Sequence, residues 1–267
     1  FEAADLAEDG SCPEGFASSN AEGRAECLKV KPGMEMLASR LETRRYASML
    51  GATTEFRKME GIAYNPDSNS VYLAMSEVAK GMEDGSKQDK GGRNDIRLAK
   101  NACGAVYELS LAEDFKATAM KALVAGKPVG DAEKAAAADP NCDPAHSMCG
   151  SAAEANTCDI NGIANPDNVT YIPGYNTLII GEDTGEGHQN DVIWSMNLNS
   201  GELTRIFSTP YGSETTSPYW YSDVNGHGYL MAVVQHPYGE SDEDKLSDAA
   251  DSRAYVGYVG PFPALGH

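Results

Sequence analysis

The chain has 267 residues, enough for one large domain with a well-buried core. Asp and Glu number 40 against 21 Lys and Arg, giving a net charge of −19. That balance disfavours nucleic acid and anionic membrane as partners and suits a secreted, cation-binding protein; no apolar run reaches the length that spans a bilayer.

Residues 1–58 read as a leader. As far as residue 32 it is polar, contains Gly and Ala, and carries Cys12 and Cys27, so it reads as loop. A helix is predicted over about 33–50, where Met34, Met36, Leu37, Leu41, Tyr46 and Leu50 fall near helical spacing between Pro32 and Gly51. The chain opens at Phe1 with neither an initiator Met nor a signal peptide. The expectation is either that an upstream segment has been removed or that residues 1–267 are the mature protein.

Strands begin near residue 59. Glu60-Gly61-Ile62-Ala63-Tyr64-Asn65-Pro66 and Val71-Tyr72-Leu73 form an acidic residue, an apolar strand, a Pro turn and a second apolar strand. Asp167 to Ile180 repeats that layout, with Tyr171, Pro173 and Asn176 standing where Tyr64, Pro66 and Asn69 stand in the first copy. Repeated hairpins of this kind are the signature of radial β architectures. If the copies point at one axis, the acidic residues at their heads converge there, and converging carboxylates call for a cation.

A charged, Gly-rich loop over 81–100 is too long for an ordinary blade turn. Ala105–Leu109 reads as a strand, and the Ala-rich run from Asp131 to Ala138 as a turn or two of helix. After a Cys-bearing loop and the second copy, Val192–Met196 and Leu203–Phe207 read as a hairpin around Asn199-Ser200-Gly201. Ser217 to Gln235 reads as another pair, an acidic loop spans Glu240 to Asp251, and Tyr255–Val259 is a last strand. At about 40–45 residues per four-stranded blade, residues 59–267 hold roughly four or five blades. The fold class is therefore all-β: a β-propeller, or an incomplete one whose other blades lie upstream, with a short N-terminal helix and long loops.

The six cysteines form an even set without paired C-x-x-C spacing, which favours disulfides in an oxidising compartment over a zinc site. Cys12 with Cys27 is the pair expected first. Cys103, Cys142, Cys149 and Cys158 leave three connectivities open.

Taken together, several blocks resemble the PhoX family of bacterial alkaline phosphatases. These are Lys58-Met59-Glu60-Gly61-Ile62, Val71-Tyr72-Leu73-Ala74-Met75-Ser76-Glu77, Pro166-Asp167-Asn168, Gly181-Glu182-Asp183-Thr184, Tyr211-Gly212-Ser213-Glu214-Thr215-Thr216 and Gln235-His236-Pro237. They cover most of residues 40–260 in the same order. The resemblance implies a periplasmic or secreted β-propeller that hydrolyses phosphate monoesters with calcium (Ca2+) and ferric iron (Fe3+) at its axis. The family's iron takes a Cys ligand from an N-terminal half with no counterpart here, so an upstream fragment of the same precursor is an implied partner.

Candidate metal ligands are Glu60, Asp167, Asn168, Glu182, Asp183 and Glu214, since calcium takes six to eight oxygen ligands from carboxylates, amides, carbonyls and water. Glu77 has a weaker claim, His188 with Asn190 and Asp191 forms a second polar cluster, and His236 could orient a metal-bound carboxylate. For a small anionic substrate such as a phosphate ester, Arg45 and Arg57 are the chosen cations, beside Arg44 and Lys58. No nucleophile elbow, P-loop, H-E-x-x-H or EF-hand loop occurs, so no catalytic residue is assigned. Two other readings stand beside the phosphatase: a non-catalytic calcium-binding propeller that acts as a scaffold, and a lactonase-like propeller hydrolase.

Overall fold

Strand formation starts earlier than the composition of the leader suggests. The computed structural model of the chain describes residues 1–21, 25–88, 94–142, 149, 156–239 and 252–264. They fall into two compact units, Phe1–Arg57 with Val78–Lys100, and Lys58–Glu77 with Asn101 onward. The acidic loop over 240–251 lies outside the described residues.

In the first unit, β1 (Glu2–Ala4), β2 (Ala17–Ser19) and β3 (Glu26–Lys29) form a small antiparallel sheet in the order β1-β3-β2. The stretch read as loop is thus a sheet, stapled by the Cys12–Cys27 disulfide, with Cys27 and Leu28 buried at its centre. Strands this short carry too few residues for period-2 alternation to register in sequence. The predicted helix is two, α1 (Glu35–Leu41) and α2 (Thr43–Met49), because Glu42 leaves the helical region at φ −130. The excursion from Val78 begins with a 3-10 turn at Lys80–Met82. It is held by Glu55, whose buried carboxylate accepts the amides of Asp95 (3.0 Å) and Ile96 (3.1 Å) and the Thr53 hydroxyl (2.7 Å).

Among its described residues the second unit holds eleven strands and one helix: β4 (Met59–Asn65), β5 (Ser70–Met75), β6 (Ala105–Leu111), β7 (Ala117–Ala125), α3 (Asp131–Ala137), β8 (Pro166–Ile172), β9 (Thr177–Glu182), β10 (Val192–Asn197), β11 (Leu203–Ser208), β12 (Glu214–Tyr221), β13 (His227–Gln235) and β14 (Tyr255–Pro263). They form three antiparallel sheets, β4-β5-β6-β7, β8-β9-β10-β11 and β12-β13-β14. None of the sheets closes on itself. The chain is mostly β, as expected, with β7 an addition the sequence did not reveal.

The sheets stack face to face. Tyr72, Ala74 and Val106 of the first pack against Val169, Tyr171, Leu178, Ile180 and Trp194 of the second. On the opposite face of the second sheet, Ile172, Ile179 and Ile193 meet Leu230, with Trp220 and Ala232 packed alongside. A β-sheet buried on both faces reads as a near-continuous apolar run, which is what Leu178-Ile179-Ile180 is. Val106, Leu178 and Ile180 are fully buried, each stabilising the fold by about 1.5–3 kcal/mol.

The two sequence copies are copies in space. In the β4–β5 hairpin the Tyr64 hydroxyl donates to Asn69 Oδ1 (3.0 Å), and in β8–β9 the Tyr171 hydroxyl lies 3.3 Å from Asn176 Oδ1 while its shorter bond goes to Asp67 Oδ2 (2.8 Å). Asn69 and Asn176 occupy the left-handed region at φ 48 and 46, as do Lys58 and Asn165 two residues before each acidic head. The other disulfides are Cys103–Cys158 and Cys142–Cys149, which settles the connectivity left open by sequence. Among the described residues no helix is long and apolar enough to cross a membrane.

Candidate metal centre

Three inner strands carry the same defect at the same end. In β4 the residues Glu60 and Gly61 bulge between the pairs Met59–Met75 and Ile62–Leu73. In β8 Asp167 and Asn168 do so between Pro166–Glu182 and Val169–Ile180, and in β12 Ser217 and Pro218 between Thr216–Val233 and Tyr219–Met231. A bulge bends a strand and re-aims its side chains. The first two therefore turn an acidic head out of the alternating pattern of the sheet. Gly61 permits the close approach of β4 to β8, since a Cβ there would lie 2.5 Å from the Asp167 carbonyl oxygen.

Asp167, Asp183 and Glu214 meet at this end, with one carboxylate oxygen from each lying within 4.8 Å of the others. Asp167 comes from the β8 bulge, Asp183 follows the end of β9, and Glu214 opens β12. Asn168 donates from Nδ2 to Asp167 Oδ2 (2.6 Å) and accepts at Oδ1 from the Ser217 amide (3.3 Å). Its amide oxygen thus ties the β8 bulge to β12 with one of its two lone pairs. Glu214 Oε2 receives the Gln235 side-chain amide and faces His236 Nε2 at 3.1 Å.

Crowding shows in the acidities. Burial, then the charges of Asp183 and Glu60, push Asp167 up to about 6. Burial and the charge of Asp183 push Glu214 up to about 7, against the opposing pull of His236. The carboxylates outnumber the positive charge around them. Lys58 provides part of that charge, with Nζ 3.2 Å from Glu60 Oε1, which also accepts the Ser76 hydroxyl at 3.3 Å. Burial works to lower the Lys58 pKa, but Glu60, with Asp183 and Asp167 behind it, raises it overall.

Glu182, also chosen from sequence, does not join the group. It is fully buried, and both oxygens are saturated: Oε1 accepts the Ala164 amide (2.7 Å) and Trp194 Nε1 (2.6 Å), while Oε2 accepts the Val192 amide (2.9 Å) and faces His188 Nδ1 (2.9 Å). Strand alternation sends Glu182 and Asp183 to opposite sides. The polar cluster at His188 is accordingly a core network, with His188 buried between Glu182 and the Asp159 carbonyl. Arg45 and Arg57 belong to the first unit, whereas the acidic group belongs to the second. Arg45 is engaged by Glu26 (3.0 Å) and Glu42 (3.5 Å). Lys58, one residue beyond Arg57, is the cation the second unit itself brings to the acids; its place two residues before a repeated acidic head was the available signal.

Against known proteins, no family model matches the chain, and no curated protein matches it. A solved structure of Pseudomonas fluorescens PhoX, in complex with vanadate, a transition state analogue, matches with a TM-score of 0.53 and 20% sequence identity. The fold is PhoX-like. The match covers 90% of this chain and 43% of PhoX, so the chain spans less than half the length of that protein.

Proposed function

We propose that the second unit is a sector of a β-propeller whose axis holds calcium and that the completed ring hydrolyses phosphate monoesters. The observation that carries this reading is the convergence of Asp167, Asp183 and Glu214 from three separate strand ends. An all-oxygen donor set suits a hard cation such as calcium. The raised acidities of Asp167 and Glu214 fit a place where positive charge is in short supply. Iron fits less well, because all six cysteines are in disulfides and none offers a thiolate.

In this reading Asp167, Asp183 and Glu214 hold the cation, and Glu60 lies beside them through its pair with Lys58. Bound calcium would neutralise phosphate charge and orient the ester. Gln235 and His236, both against Glu214 Oε2, keep that carboxylate aimed at the centre. Lys58 supplies an ammonium for a phosphoryl oxygen, and Arg57 is a further candidate. Arg45, committed to Glu26 and Glu42, is the weaker of the two arginines first chosen. The remaining blades would come from polypeptide beyond residues 1–267, in keeping with the 43% of PhoX that the chain matches. Disulfides suit a secreted or periplasmic setting.

A second reading is favoured by the open sheets: a calcium-binding module without turnover of its own. Two measurements separate the readings. Calorimetric titration with calcium is expected to give binding that Asp183→Asn weakens at least ~10-fold; no heat of binding in the unsubstituted chain would end both. Release of nitrophenolate from p-nitrophenyl phosphate, with and without chelator, tests turnover. Calcium binding without chelator-sensitive release leaves the module reading.

A further inference from the structure

The residue two places before each acidic head has a different task in each copy. Lys58 and Asn165 both stand in the left-handed region, at φ 50 and 41. In each hairpin that residue's backbone carbonyl accepts an amide from just beyond the second strand: Ser76 donates to Lys58 (3.2 Å) and Asp183 donates to Asn165 (3.1 Å). Ser76 and Asp183 are thus equivalent positions of the repeat.

The side chains diverge. Lys58 turns its ammonium to Glu60 within its own copy. Asn165 reaches out of its copy, and its Nδ2 donates to the carbonyls of Ser76 (2.8 Å) and Ala102 (2.9 Å). Its backbone amide donates to the Cys103 carbonyl (2.9 Å), so two successive carbonyls before β6 are held by one residue. Gly187 leaves room for the other end of the side chain, since a Cβ there would lie 2.5 Å from Asn165 Oδ1. Ser76 in turn donates its hydroxyl to Glu60 Oε1. Three acids are therefore tied to Asn165: Asp167 two residues along the chain, Asp183 through its amide, and Glu60 through Ser76.

We infer that Asn165 is a positioning residue for the metal centre, setting Asp167 and Asp183 relative to each other and holding both against Glu60 of the first copy. This inference rests on the calcium reading of that end. Asn suits the place on two counts. It tolerates the left-handed region that most side chains avoid, and its amide group supplies two donors where both neighbours are acceptors.

Two substitutions isolate the side chain. Asn165→Gly keeps the left-handed backbone and removes the clamp. Asn165→Asp keeps the shape but sets a carboxylate against two carbonyls; by charge alone it would tighten cation binding. Both are expected to weaken calcium binding by ~10-fold or more in calorimetry, with the metal-free circular dichroism spectrum unchanged. Asn176→Gly, at the turn of the same hairpin and also left-handed, should leave the affinity unchanged. Terbium in place of calcium gives a readout that a merely structural role would not move. Its luminescence lifetimes in light and heavy water count bound solvent, and Asn165→Gly should add about one water where a carboxylate leaves the ion. Unchanged affinity and hydration in Asn165→Gly, tighter binding in Asn165→Asp, or an equal loss in Asn176→Gly overturns the role of Asn165 and leaves the calcium reading standing. No calcium binding in the unsubstituted chain overturns both.

Discussion

Glu182 and Asp183 are neighbours in sequence and opposites in chemistry. Glu182 turns into the core, where two backbone amides, an indole N–H and an imidazole saturate its oxygens. Asp183 turns to a place where the nearest groups are further carboxylates, Asp167 and Glu214. Burial alone therefore does not mark a functional acid. What distinguishes the two is the supply of donors: the core acid has a full set, and the acids at the strand ends share Lys58, Gln235, His236 and Asn168 among them.

The comparison breaks most visibly at Glu182. Removing a buried partner strands the other, so Glu182→Ala, which leaves His188 Nδ1 and the Trp194 N–H without their acceptor, should destabilise the chain by about 3–5 kcal/mol. Urea unfolding measures this, and a loss below about 1 kcal/mol would mean the network is not what holds that core. Asp183→Asn should do the reverse. Relieving repulsion among crowded carboxylates leaves the metal-free chain as stable or more so, by up to about 1 kcal/mol. The same change should weaken calcium binding at least ~10-fold by calorimetry.

Titration separates the regions more finely. Asp167 and Glu214 have folded pKa values raised to about 6 and about 7, so the folded state holds their protons more tightly than the unfolded chain. Their contribution is present at low pH, and metal-free stability should fall as pH rises from about 4 to 7, by about 1 kcal/mol per group after solvent screening. Saturating calcium should flatten that slope. His188 adds a second component. Burial opposes its charge, but Glu182 outweighs burial and its pKa is raised. Stability from this pair is complete below the unfolded value near 6.5 and is lost as pH rises through the folded pKa. Calcium should leave this component unchanged, and thermal melts across pH with and without calcium read both. The smallest effect is expected at the hairpins: Asn176→Ala, in the left-handed region at φ 46, should cost about 1 kcal/mol, with the same change at Asn69 costing a similar amount.

Much of the second unit was legible in the sequence because its repeat is enforced by local chemistry. A Tyr hydroxyl reaching an Asn that holds a left-handed turn requires those two residues at fixed spacing, and both copies keep them. The acidic heads were legible for the same reason. The setting of Glu182 was not legible, because a ligand list drawn from adjacent acids ignores the period of two and sequence does not show that His188 and Trp194 turn back onto it. The leader's sheet was hidden by strands of three and four residues. Lys58 stood in the motif, but nothing in a single Lys before a strand tells an ion pair within an acidic centre from a solvated side chain.

The Cys103–Cys158 bridge joins the start of β6 to the approach to β8, across 55 residues that include α3. A single proteolytic cut within that span would leave two fragments covalently joined. For a cut between β7 and Cys158, such a nicked chain would run at full size until reduced, with the β4–β7 sheet on one fragment held against the β8–β11 sheet on the other. The bridge makes an unbroken backbone between β7 and Cys158 unnecessary to the covalent integrity of the stack.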